Sequence, residues 1–274
     1  MGGGRAAVFV TSGQRTSTTG LLAEAAARRG MEVRVLTDGQ VLDGLVGRAV
    51  HWYGGPLAAG RIANVLGLGL LEPSDDWLAR LPEEFTGRRI ELTTLSEAWA
   101  LRRPVFVKPP SAKSFPAAVY ADGSRLPRTG EGVGPDTPAL VSDVVTFAAE
   151  YRLFVLDRRV VAGSRYAVYG RLDTAPLDGD SREREVRRFA ERLLASVGES
   201  LPSAVTVDVG LAQDPDTGHE RWAVVEANMP WFSHSYTARV DAVLDVVLRA
   251  AGPRDQLSQG DVPFLHASPA SGYI

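Results

Sequence analysis

Ala204-Val-Thr-Val-Asp208-Val-Gly-Leu211 and, shortly after it, Arg221-Trp-Ala-Val-Val-Glu226-Ala-Asn228 are the stretches on which the reading of this chain turns. In the first, the alternation of a strand puts Val205, Val207, Val209 and Leu211 on one face and Asp208 on the other. In the second, Glu226 and Asn228 are two apart and share a face. Between them, Asp214-Pro-Asp-Thr-Gly218 is rich in turn formers. A turn there makes an antiparallel hairpin with Asp208 about opposite Glu226. Three hard oxygen donors then converge on one sheet surface, a set suited to Mg²⁺ bridging phosphates. The plainer alternative is ordinary polar-face residues, against which stands the cost of placing acids among valines without a partner.

Working outward, the thirty basic residues include only two lysines, Lys108 and Lys113, five apart. Lys108 ends the apolar strand Pro104-Val-Phe-Val-Lys108, and Lys113 sits in the loop after it, so both can reach one anion. Two solvated lysines are the plainer alternative. Glu150-Tyr-Arg152 opens a further strand, with Arg152 on the face of Glu150, Phe154 and Leu156. Arg165 closes the partner strand. Each arginine is either a surface charge or a fork aimed at a phosphoryl group or a carboxylate.

Composition bounds the class. The 274 residues are 45% hydrophobic and 23% charged, enough to bury a core. No cysteine is present, which excludes disulfides, thiolate metal sites and a thiol nucleophile. No apolar run approaches the roughly 20 residues of a membrane span. Met1 to Arg5 lacks the apolar centre of a signal peptide, so a cytoplasmic protein is expected. A net charge of -3 argues against a nucleic-acid coat. Thr11-Ser12-Gly13-Gln14-Arg15 stands where a dinucleotide-binding oxidoreductase would need its glycine turn.

The pattern divides the chain into blocks at 1–82, 83–139 and 140–252, with an extension at 253–274. The first opens with a parallel β-α-β unit: a strand at 6–11, a helix at about 19–29 and a strand at 33–36. A strand at 49–53 and a helix at 57–66 follow, with Pro56 suited to a first helical turn. The second block starts a short helix with capping-box spacing at Thr94 and Glu97, then strands at 104–108 and 115–121. The third carries strands at 140–145, 150–156, 160–164, 204–211 and 221–227. It also carries amphipathic helices at 181–197 and 237–249.

The set Pro104-Val-Phe-Val-Lys108-Pro109, Glu150-Tyr-Arg152 through Ser164-Arg165-Tyr166, Val207-Asp208-Val-Gly210 and Val224-Val-Glu226-Ala-Asn228-Met-Pro230 resembles the ATP-grasp superfamily. It looks closest to the small clade named for one arginine and two lysines. The resemblance implies an α/β and α+β protein: a Rossmann-like pre-grasp domain, then two α+β lobes holding ATP between them. It implies that Lys108 and Lys113 contact phosphates and that Asp208, Glu226 and Asn228 hold Mg²⁺, with Mn²⁺ an acceptable replacement. It further implies an adenine-reading hinge at Ser142, Asp143, Val144 and Val145, and Asp143 or Glu150 near the ribose. Arg152 and Arg165 would face the γ-phosphate and an acyl phosphate. The phosphate loop departs from the usual glycine-rich form, reading Pro109-Pro110-Ser111-Ala112-Lys113-Ser114. An earlier lysine common in the superfamily is missing, and Arg88 or Arg89 stands near its place.

The implied activity joins a small-molecule carboxylate to an amine, on an amino acid or a small peptide, through an acyl phosphate. The substrate region is expected near Ser12, Gly13, Tyr53 and the loop Trp231 to Tyr236, where His234 is a candidate base toward the amine. A phosphotransferase that stops after moving the γ-phosphate and a non-catalytic ATP sensor are the competing readings. A membrane partner is not expected, nucleic acid is disfavoured, and a homodimer remains open.

Overall fold

The computed structural model describes residues 6–36, 44–110, 114–128, 130, 132–214 and 217–266. Three larger sheets and one two-stranded sheet organise them. The first is parallel, with Val8–Ser12 between Glu32–Leu36 and Val50–Tyr53. The helix Ser17–Arg28 returns the chain between the first two of these strands, and Thr16 caps it by accepting from the Thr19 amide. The helix Pro56–Leu66 starts on its proline and ends at Gly67, whose φ of 64° is the left-handed conformation glycine adopts freely.

The second sheet is antiparallel, in the order Ile90–Thr94, Pro138–Ser142, Val105–Lys108, Ala118–Tyr120. Its helix Leu95–Ala98 begins with the expected capping box between Thr94 and Glu97. Pro138–Ser142, taken from the sequence as the opening strand of the third block, hydrogen-bonds here instead, between the Ile90 and Lys108 strands. Ala139 and Val141 join Leu95, Val105, Val107 and Phe115 in a core confined to this unit.

The third sheet is antiparallel and five-stranded: Arg171–Pro176, Arg159–Val168, Thr146–Leu156, Ala204–Gln213, Glu220–Asn228. The helix Glu183–Val197 covers one face, where Val186, Phe189 and Leu193 meet Tyr151, Leu153, Val205, Val207 and Val209. The helix Val240–Ala250 packs the other face against the parallel sheet. Phe154, Ala162 and Ala204 therefore lie in one continuous core with Val8, Phe9, Val10 and Trp52.

The described part of the extension, 253–266, is structured. Ala251–Pro253 pairs with Leu68–Leu70, and Leu265 bridges Leu71. Asp261, 1% exposed, accepts from the Ser203 amide and from the hydroxyls of Ser203 and Ser258. It thereby fastens the extension to the residue preceding the Asp208 strand. Among the described residues, no helix is long and apolar enough to cross a membrane.

Candidate functional site

The hairpin has the register expected from alternation: Asp208 faces Glu226, and Thr206 faces Asn228. A bulge just beyond lets Val209 pair with Val224. On the other side Asp208 pairs with Arg152, and Gly210 with Glu150. Glu150, Arg152, Asp208, Glu226 and Asn228 therefore share the sheet face opposite the helix Glu183–Val197, because the alternate residues Tyr151, Leu153, Val207 and Val209 are in the core beneath that helix.

The charges on this face are interlocked. Arg152 grips Asp208 bidentately, Nε to Oδ1 at 2.9 Å and Nη2 to Oδ2 at 2.7 Å. Asp208 is 1% exposed. Burial pushes its carboxyl up from the ordinary value, and the Arg152 guanidinium opposes that push. Burial likewise works against the Arg152 charge, but the carboxylate outweighs it and the guanidinium stays firmly protonated. Tyr166 and Tyr236 stack at 5.3 Å, and Arg152 lies over both rings at 5.7 and 5.3 Å. Tyr236 takes a left-handed φ of 48°, a conformation a bulky residue holds only where its surroundings impose it. The Tyr166 hydroxyl donates to Glu150 at 2.7 Å. Burial raises the Glu150 carboxyl, the tyrosine hydrogen bond lowers it, and the nearby Asp208 and Glu226 charges raise it.

Lys108 reaches across from the four-stranded sheet and forms an ion pair with Glu226. Asn228 donates its Nδ2 to the other Glu226 oxygen at 2.7 Å. Burial alone would raise Glu226, yet Lys108 and Asn228 hold its carboxyl at about 2. A narrow cleft opens beside this pair, lined by Lys108, Glu226 and Asn228 and by Glu72, Asp75 and Trp77 of the first block.

Two carboxylates and a carboxamide oxygen on one face are the donor chemistry of Mg²⁺, so the residues fit such an ion. Each carboxylate is now balanced by a cation, and among the described residues no three acids or histidines cluster as a metal site. A divalent ion would therefore have to take the place of Lys108 on Glu226.

The other expected residues are placed as follows. Residues 143–145 link the two antiparallel sheets, directly after Ser142. Ser142 is buried and donates to the Asp143 carbonyl; Asp143 pairs with Arg103 at 3.0 Å, and Val144 is exposed. Lys113 lies outside the described residues. Arg165 is not brought to the cluster, contrary to the reading that aims it at the γ-phosphate. It sits opposite Tyr151 on the helix-covered face, paired with Asp173 at 2.7 Å and Asp180 at 2.9 Å. Its neighbour Tyr166 points into the cluster instead. Arg88 is buried and donates to the Thr86 and Val224 carbonyls, and burial lowers its guanidinium to about 10. Arg89 pairs with Glu91.

Beside the cluster, the loop after Asn228 docks on the first block. The Gly54 amide donates to the Trp231 carbonyl at 2.9 Å, and the Tyr53 hydroxyl to the Ser233 carbonyl at 3.1 Å. The Ser235 amide donates to Thr18 at 3.0 Å. A Cβ on Gly54 would come within 2.7 Å of Ser12, so only glycine allows that approach. Burial raises the Tyr53 phenol to about 12, with Thr18 and Arg152 opposing. Ser12, Tyr53 and the 231–236 loop are thus neighbours, and His234 lies 6.0 Å from the Tyr236 ring. Sequence reasoning gave no role of its own to Tyr166 and placed Tyr236 only as the end of the substrate loop; no periodic signal marks their stack, since a register shift separates Arg165 from Ala167 and Tyr236 is in a loop.

Over residues 85–246 the chain matches a family described as an ATP-grasp domain, the second family of the clade named for one arginine and two lysines. No curated protein matches the sequence. Among solved structures, a RimK domain protein ATP-grasp from Sphaerobacter thermophilus DSM 20745 is similar with a TM-score of 0.52 and 17% identity, over 89% of this chain and 100% of that one. A D-alanine–D-alanine ligase from Bacillus anthracis complexed with ATP is similar with a TM-score of 0.51 and 13% identity, over 89% of this chain and 96% of that one.

Proposed function

Because the chain belongs to the arginine-and-two-lysine clade of the ATP-grasp domain family, we propose that it is an ATP-dependent carboxylate–amine ligase that forms an amide on an amino acid or small peptide. The observation that carries this reading is Lys108 of the four-stranded sheet paired with Glu226, which lies opposite Asp208 and beside Asn228 on the five-stranded sheet, at the edge of a cleft. In such a reaction a carboxylate takes the γ-phosphoryl group of ATP, and an amine captures the acyl phosphate, releasing phosphate.

The demand on the protein is positioning and charge neutralisation. Lys108, released from Glu226, binds a phosphate oxygen. Asp208, Glu226 and Asn228 would hold Mg²⁺, whose positive charge, when bound, offsets that of the phosphates. Arg152 spends Nε and Nη2 on Asp208, which leaves Nη1 for an oxygen of the transferring group or of the acyl phosphate. The Tyr166–Tyr236 stack keeps that guanidinium in place and shields it from water. Residues 142–145, joining the sheets, would present backbone groups to the adenine, with Glu150 toward the ribose. The acid and amine would lie between Arg152, Tyr53 and the 231–236 loop.

The test is ADP release across pairs of amino acids and short peptides with Mg²⁺ present, with products followed by mass spectrometry. An amide product whose formation is lost in Lys108→Ala and Glu226→Ala supports the reading. A stable phosphorylated product without amide, or turnover unchanged in both variants, refutes it.

A further inference from the structure

Thr206 is fully buried, and its hydroxyl has no hydrogen-bond partner among the described residues. Its place makes that notable. It lies two residues before Asp208 on the same strand, directly opposite Asn228. Directly opposed residues of an antiparallel pair share a face, with Cβ atoms about 4.5 to 5.5 Å apart. The hydroxyl is therefore within reach of the Asn228 carboxamide after a side-chain rotation. Its neighbour on the other side is the apolar Phe154, and the Asp208 carboxylate is occupied by Arg152.

The Asn228 amide now donates to Glu226. When both residues turn oxygens toward a cation, that amide loses its acceptor, and a buried N–H without one is costly. We propose that Thr206 is a positioning residue for Asn228: its hydroxyl accepts the Asn228 amide N–H when the carboxamide oxygen faces a divalent cation. The proposal rests on the ATP-grasp reading of the site, and it concerns the support of a metal ligand rather than a group touching substrate. Partners of metal ligands commonly govern affinity in this way.

The test is Mn²⁺ binding in the presence of ADP, read by electron paramagnetic resonance, on the wild type and on Thr206→Val and Thr206→Ser. Valine keeps the shape and removes the hydroxyl; serine keeps the hydroxyl. The expected result is Mn²⁺ affinity weaker by about tenfold or more in Thr206→Val, and near wild type in Thr206→Ser. The melting temperature of the metal-free valine variant should be no lower than wild type, since it loses an unpaired hydroxyl. In an Asn228→Ala background, Thr206→Val should cause no further loss. Mn²⁺ binding unchanged in Thr206→Val, or lost equally with serine and valine, overturns the proposal and leaves the ligase reading standing. Wild-type binding that is absent, or indifferent to Glu226→Ala, overturns both.

Discussion

Replacing Arg152 with methionine removes the cation and keeps much of the side-chain volume, which exposes what the Arg152–Asp208 pair contributes. Asp208 is 1% exposed and receives two hydrogen bonds from Arg152, at 2.9 and 2.7 Å. The remaining nearby cation, Lys108, is already paired with Glu226. The variant therefore leaves a buried carboxylate without its counter-ion, a change that costs about 3–5 kcal/mol. For a chain of this size each kcal/mol moves the midpoint by about 2–4 °C, so a fall of roughly 6–20 °C is expected. The effect has a sign in pH. Without Arg152 only the charge of Lys108 opposes the burial that raises the Asp208 carboxyl above its ordinary 3.8. A carboxyl whose folded value exceeds its unfolded value destabilises the fold increasingly as pH rises. The gap to wild type must then narrow as pH falls from neutral toward the ordinary carboxyl range. The assay is urea unfolding followed by far-ultraviolet circular dichroism at pH 7 and pH 5, with Asp208→Asn added to Arg152→Met as the compensated variant. A loss below about 1 kcal/mol at pH 7, or a double variant no more stable than the single one, would refute the reasoning.

Three further outcomes are expected. Asp261→Ala should detach the extension from Ser203, lowering stability by about 3 kcal/mol or more and making the chain beyond Gly252 readily cut in limited proteolysis. Glu72 raises the His266 imidazole above 6.5, so their pair stabilises the fold below that value and the contribution disappears as pH rises through the raised one. Thermal melts across that window should show the decline, and Glu72→Gln should flatten it. Thr94→Ala removes the capping box and should cost about 1 kcal/mol in a denaturant titration, with the Mg²⁺ dependence of ADP release unchanged.

The hairpin that carries Asp208, Glu226 and Asn228 was legible because alternation is local, and two residues fix a face. Arg165 drew its role from the resemblance, and the strand register sets it opposite Tyr151, away from the cluster that Tyr166 enters. The membership of Pro138–Ser142 could not be read, because a strand followed closely by another resembles a hairpin arm whichever sheet it joins. Ile90–Thr94 and Arg171–Pro176 went unread for a related reason: both are edge strands with largely exposed side chains and carry little hydrophobic signal. Lys108 was legible from its scarcity and its neighbours, but its partner was not, since Glu226 lies in another sheet. The anchoring of the extension by Asp261 depends on one carboxylate meeting Ser203 from a distance, and no periodicity announces that.

The continuous core shared by the parallel and five-stranded sheets bears on how this chain can be recombined. Residues 90–142 form a separately cored insert, which among the described residues places Leu140 in the core beneath the helix Glu183–Val197, with Ile90 at that core's margin. Everything else is one body encoded by two distant stretches of sequence. A chimera that exchanges only the first 82 residues would cut through Phe9, Trp52 and Phe154, whereas one spliced near positions 89 and 143 crosses two single connections. Transplanting the half proposed to face the acid and amine into a relative therefore means moving both flanks together, and transplanting the insert alone exchanges the wall that carries Lys108.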